Sequence, residues 1–119
     1  MLPGSAGTQR TPRLVGVKSA IDIMTTGKPV KAEKALAIGA IDEIVDDLKS
    51  GAIAFAKKVI ENATPLKRVS KSEERVENNS ENLEVIAQER AKWKKNSPHL
   101  NAPQKIIDCV EQAVLLDYA

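Results

Sequence analysis

Aromatic side chains are almost absent: the 119 residues include one Phe, one Trp and one Tyr, at Phe55, Trp93 and Tyr118. Any core must therefore be aliphatic, and a composition rich in Ala, Lys, Glu and Ile favours helix over sheet. Cysteine is reduced to Cys109, which excludes an internal disulfide and makes a reducing compartment, the cytoplasm or an organelle matrix, the expected setting. A thiol in a helical stretch is expected to act as a small apolar side chain. The single histidine, His99, lies in a Pro-bounded loop with no Ser or Cys partner legible nearby, so it is expected at the surface rather than in catalysis. No spacing of His, Cys, Asp and Glu suits a metal ion. No apolar run approaches the roughly 20 residues of a membrane span, and Met1-Leu2-Pro3-Gly4 has neither the basic nor the apolar region of a signal peptide. Charge of one sign is also lacking: 18 basic and 16 acidic side chains are interspersed, for a net +2. Without a clustered basic face, nucleic acid is not an expected partner.

What is present is one domain's worth of helix-forming sequence at most. A first helix is expected from about Ala6 or Gly7 to Val15, with Pro12 tolerated near its start and Gly16 ending it. A second runs from about Val17 to Thr26, with Val17, Ala20, Ile21 and Met24 on one stripe and Gly27 as the left-handed stop. Lys31 to Ile38 gives a third, short helix closed by Gly39. Ile41 to Val45 suits a very short edge strand. Asp46 and Asp47 precede a longer helix, about Leu48 to Asn62, in which Ala52, Phe55, Ala56 and Val59 are the expected buried stripe. Lys67 to Ser80, with only Val69 and Val76 as apolar anchors, reads as a solvated connector. A fifth helix spans about Glu81 to Lys95, its basic end at Arg90, Lys92, Lys94 and Lys95 complementing the helix dipole. Asn101 is the expected cap of a last helix reaching about Tyr118, with Pro103, Ile106, Ile107, Val110, Ala113 and Val114 along one face. The expected fold class is mainly α: about six helices and at most one very short strand.

Chemistry concentrates at the start of the chain. Gly4-Ser5-Ala6-Gly7-Thr8 has the glycines of a close-approach turn before a helix. A phosphate-binding loop would need a Lys after its second glycine, and Thr8 stands there instead. The adjacent acids Asp42 and Glu43, or Asp46 and Asp47, point apart on extended backbone and do not make an acid/base pair. The basic cluster at residues 90–95 is most simply a solvated helix end.

The order of short motifs is more specific. Leu-Pro-Gly-x-x-Gly-Thr-Gln-Arg from Leu2, then Pro-Arg-Leu-Val-Gly, Thr-Gly-Lys-Pro, Ala-Glu-x-Ala-x-x-x-Gly and Ile-Asp-Glu-Ile-Val, closely resembles the second half of the crotonase superfamily, the enoyl-CoA hydratases and isomerases. Asn101-Ala102-Pro103 after a basic helix end is most similar to the hydratase part of multifunctional fatty-acid β-oxidation enzymes. The resemblance implies a partial crotonase-like domain over residues 1–119, with an active-site wall and helical segment at 1–45 and a packing or oligomerisation segment at 46–119. It implies hydration of a trans-2-enoyl-CoA in the parent, with acyl-CoA as substrate and no further cofactor. In the family, the oxyanion hole and two catalytic glutamates precede the Leu2 motif, so this chain is expected to be inactive alone and to need its N-terminal half or a homo-oligomer. By resemblance, Gly4 offers a backbone N–H beside the catalytic water, Leu2 and Pro3 line the acyl pocket, and Thr8, Gln9 and Arg10 start the helix that buttresses this wall. Ser5-Ala6 replaces a pair such as Ala-Gly, and Lys31 stands where a capping Ser is usual, a loss on the order of 1 kcal/mol at one helix start. The alternative function is a non-catalytic helical packing module, suggested by the amphipathic last helix.

Overall fold

The computed structural model describes residues 1–65 and 67–118. Six α-helices follow one another: α1 (Gly7–Val15), α2 (Val17–Thr26), α3 (Ala32–Ala37), α4 (Leu48–Glu61), α5 (Ser80–Asn96) and α6 (Asn101–Leu115), with a 3₁₀ turn at Val69–Lys71. No strand occurs among the described residues. Ile41 to Val45 forms no strand and bends at Asp42, and Ile41 and Ile44 are open to solvent. None of the helices is long and apolar enough to cross a membrane among the described residues.

The body consists of α1, α2, α5 and α6. Its core is aliphatic, as so few aromatic residues require: Val17, Ile21, Val76, Ile86, Ile106, Ile107, Val110 and Val114 form one buried cluster, with Met24, Val85 and Trp93 against it. The predicted stripe of α6 is buried at every position, Pro103 through Val114. The polar face of α6 meets α5: Arg90 pairs with Asp108 and, at 2.8 Å, with Glu111. Arg90 is thus held between two carboxylates rather than solvated with the lysines, because its position faces the polar side of α6. Bonding from the Arg90 guanidinium holds the Asp108 carboxyl below the usual carboxylate range, with Lys105 contributing less. A depressed folded-state pKa gives stability that is present above the unfolded carboxylate pKa and is lost as pH falls through the folded one. Urea midpoints measured between pH 6 and pH 2.5 should therefore decline at the acid end, and Asp108→Asn should flatten part of that decline by up to about 1 kcal/mol, the upper range for a half-exposed pair.

Local signals place the caps. Asp47 Oδ1 accepts from Ser50 N at 2.8 Å and Asn79 Oδ1 from Asn82 N at 2.9 Å, fixing the starts of α4 and α5. Asn101 is not the cap of α6: Leu100 occupies that place, with no side-chain bond. Had Asn101 been the cap, Pro103 would have stood where one of the two capping amides belongs, and it has no N–H. The helix also stops at Leu115, where Leu116 turns extended, rather than continuing to Tyr118.

Two further expectations are corrected. The stripe Ala52, Phe55, Ala56 and Val59 of α4 is not buried, since no residue of α4 is and no other helix reaches it among the described residues. Leu48 and Ile60 are 78% and 77% exposed. The connector Lys67 to Ser80 is not merely solvated: Val76 enters the core at 4% exposure, and Arg75 Nη1 donates to Leu14 O and Ile38 O, both at 2.8 Å.

Candidate functional site

The opening turn is closed by Gly7 N donating to Gly4 O at 2.8 Å. Between them Ser5 and Ala6 take φ of 50° and 55°, the left-handed region. Ala6 O then accepts from both Gln9 N and Arg10 N at 2.9 Å, which launches α1. Gly7 is required by contact: a Cβ there would stand 2.9 Å from Pro3 Cβ. Gly4 is different, because the space where its Cβ would lie is open. The Ser5-Ala6 departure from the family pattern thus falls where the backbone most favours glycine, and left-handed backbone costs a residue with a Cβ about 1–2 kcal/mol. Ala6→Gly should stabilise the chain by about 0.5–1 kcal/mol after the entropy glycine loses on folding, read as a higher urea midpoint at unchanged slope.

Leu2 and Gly4 are exposed and Pro3 is half-buried, so the three expected acyl-site residues share one short strip open to solvent. The strip has no acid of its own: no Asp or Glu occurs before Asp22. A cavity of about 380 Å³ is lined by Arg13, Gly39, Lys67, Glu74 and Arg75 among others, and by none of the turn residues. This arrangement can offer a backbone N–H and an apolar edge to a ligand. It holds no group that could shuttle a carboxylic proton.

The turn is firmly mounted. Gln9 Nε2 donates to Cys109 O on α6 at 2.7 Å, which ties α1 to the last helix. Arg10 itself is exposed and Thr8 half-buried. One turn on, Arg13 is 2% exposed. Its Nη1 donates to Gln9 O at 3.0 Å, its Nη2 reaches Ala113 O at 3.4 Å, and its guanidinium lies 5.0 Å from the centre of the Tyr118 ring. Sequence reading missed Arg13, whose only signal is its place four residues after Gln9, on the same helical face. The remaining candidates do not join the turn. His99 is exposed in the turn before α6, Asp42 pairs with Lys67 at 3.8 Å, and Asp47 caps α4. Among the described residues no cluster of His, Cys, Asp and Glu could hold a metal ion.

Comparison with known proteins agrees with the motif order. Residues 1–111 match the enoyl-CoA hydratase/isomerase family. The chain is 39% identical to the fatty acid oxidation complex subunit alpha of Shewanella frigidimarina, over 96% of this chain and 16% of that protein. With the protein of the same name from Shewanella loihica the identity is also 39%, over 96% of this chain and 17% of the relative. The glyoxysomal fatty acid beta-oxidation multifunctional protein MFP-a of Cucumis sativus is 34% identical over 97% of this chain and 16% of its own length. The chain therefore spans about one sixth of the relatives it matches. With the family's motifs in order on a mainly helical frame and a match over nearly its whole length, the chain belongs to the enoyl-CoA hydratase/isomerase family.

Proposed function

We propose that the chain supplies the C-terminal helical portion of an enoyl-CoA hydratase domain of fatty-acid β-oxidation, and that it does not turn over substrate alone. The observation that carries this reading is the turn from Leu2 to Gly7: shaped, mounted on α6 through Gln9, and open on its other side. In the parent reaction water adds across the C2–C3 double bond of a trans-2-enoyl-CoA, oxygen to C3 and a proton to C2, while hydrogen-bond donors stabilise the thioester enolate. Leu2 and Pro3 would border the acyl chain, and the Gly4 N–H would lie beside the water. The general acid, the general base and the oxyanion donors would come from the portion of the family's domain that precedes this turn. Acyl-CoA is then the substrate of the assembled protein, with no cofactor called for. A cytoplasmic or organelle-matrix setting fits the lone Cys109, and the glyoxysomal relative supports the second possibility.

Crotonyl-CoA hydration, followed by the loss of enoyl absorbance, is the direct assay. Purified chain free of host hydratase is expected to match the rate without protein; conversion that scales with chain concentration would overturn the proposal.

A second reading is favoured by one observation, the uncovered apolar surface of α4. On this reading the chain is a packing module whose partner is the remainder of the domain or another copy. Sedimentation velocity tests it, since a compact monomer at all concentrations with cooperative unfolding would argue against a dependent module.

A further inference from the structure

The segment that carries α3 and α4 is held to the body in an unusual way. Neither helix has a buried residue, and neither packs on α1, α2, α5 or α6 among the described residues. Two ion pairs cross to it or brace its base, Lys34 to Asp22 and Lys67 to Asp42, each at 3.8 Å between side chains that are more than half exposed. Pairs of that kind hold little. The remaining tie is Arg75. Its Nη1 bonds Leu14 O, in the last turn of α1, and Ile38 O, at the C-terminal end of α3. Two helix C-termini, each carrying partial negative charge on free carbonyls, thus converge on one guanidinium. The fit is close: a Cβ on Gly39, whose φ is +81°, would stand 3.3 Å from Arg75 Nη1 and 3.4 Å from Leu14 O. Arg75 is itself anchored, because the next residue, Val76, is buried in the core. The segment follows Gly27, with φ +62°, and ends at Ala63, with φ +46°.

We propose that Arg75 is a latch that fixes the α3–α4 arm against the helical body, and that releasing it frees the arm as a unit while the body stays folded. The inference does not depend on the catalytic reading.

Hydrogen exchange followed by mass spectrometry on the full chain tests it, comparing wild type with Arg75→Met, Arg75→Lys and Gly39→Ala. In Arg75→Met, amides of α4 and of α3 should exchange about tenfold faster, the factor expected when a hydrogen bond of typical worth is lost. Those of α6 between Ile106 and Val114 should be unchanged. Arg75→Lys keeps a cationic donor and should lie between the two. Gly39→Ala approaches the latch from the other side, pressing a methyl group on the guanidinium, and should also loosen α4 but not α6. Unchanged α4 exchange in both Arg75→Met and Gly39→Ala would overturn the latch. So would α4 and α6 accelerating together, wild-type α4 exchanging as unstructured peptide, or loss of helical circular dichroism in Arg75→Met.

Discussion

Ile107→Ala is expected to lower the stability of the chain by about 2–5 kcal/mol, the range for removing a buried aliphatic side chain from a packed core. Ile107 has no solvent exposure and lies in the cluster where α6 packs on α2 and α5. The cost is large relative to the total, since domains of this size are held by only about 5–15 kcal/mol. It should also be hard to absorb by repacking. The neighbours Ile21, Ile86, Ile106 and Val110 are branched aliphatic side chains with few rotamers, which limits how far they can move into the space. Urea unfolding followed by Trp93 emission gives the readout, because Trp93 packs against this cluster. A loss below about 1 kcal/mol would mean that the core collapses around the deletion, contrary to the close packing of the four helices.

The α6 stripe that contains Ile107 was fully legible in the sequence, and the reason is physical. Its apolar residues recur at helical spacing on one face only, so a single surface could satisfy them and the body supplies it. In α4 the same reasoning failed. Apolar residues occur there on more than one side, with Ile53 and Ile60 off the line of Leu48, Ala52, Phe55 and Val59, and periodicity cannot tell which surface covers a helix or whether this chain provides it. In the turn from Gly4 to Gly7 the close approach was legible at Gly7 alone, because Gly4 has open space and the left-handed φ values fall on Ser5 and Ala6. An acyl-site role for it is suggested by the ordered family motifs alone, because a backbone N–H leaves no residue-type signature. Arg75 and Arg13 were the least visible. Each acts through carbonyl groups far away in the chain, and an arginine that bonds backbone looks in sequence like any surface charge.

Arg13→Ala is expected to cost about 3–5 kcal/mol, comparable with the largest core deletions, although it removes a charged residue. A buried guanidinium is expensive to desolvate, and among the described residues this one has no carboxylate partner and its Nε finds no acceptor. That burden argues for a small effect, or even a gain if an apolar side chain filled the volume. Two terms oppose it. Ala113 O is among the last carbonyls of α6 and lies on the negative end of its dipole, so a buried cation there recovers energy that a surface ion pair would not. Alanine, moreover, leaves most of the Arg13 volume empty between α1, α6 and Tyr118, and cavity cost adds to the lost bonds. Arg13→Met separates the terms, since it fills space without the charge: it should recover part of the loss, and whatever remains is the net worth of the polar contacts. The substitution also bears on the candidate site, because Arg13 and Gln9 together join α1 to α6 and the Leu2–Gly7 turn rides on α1. Thermal unfolding of the three proteins gives the comparison. A melting temperature for Arg13→Met above that of the wild type would show that the buried charge is a net cost at this position and that Gln9 alone mounts the turn.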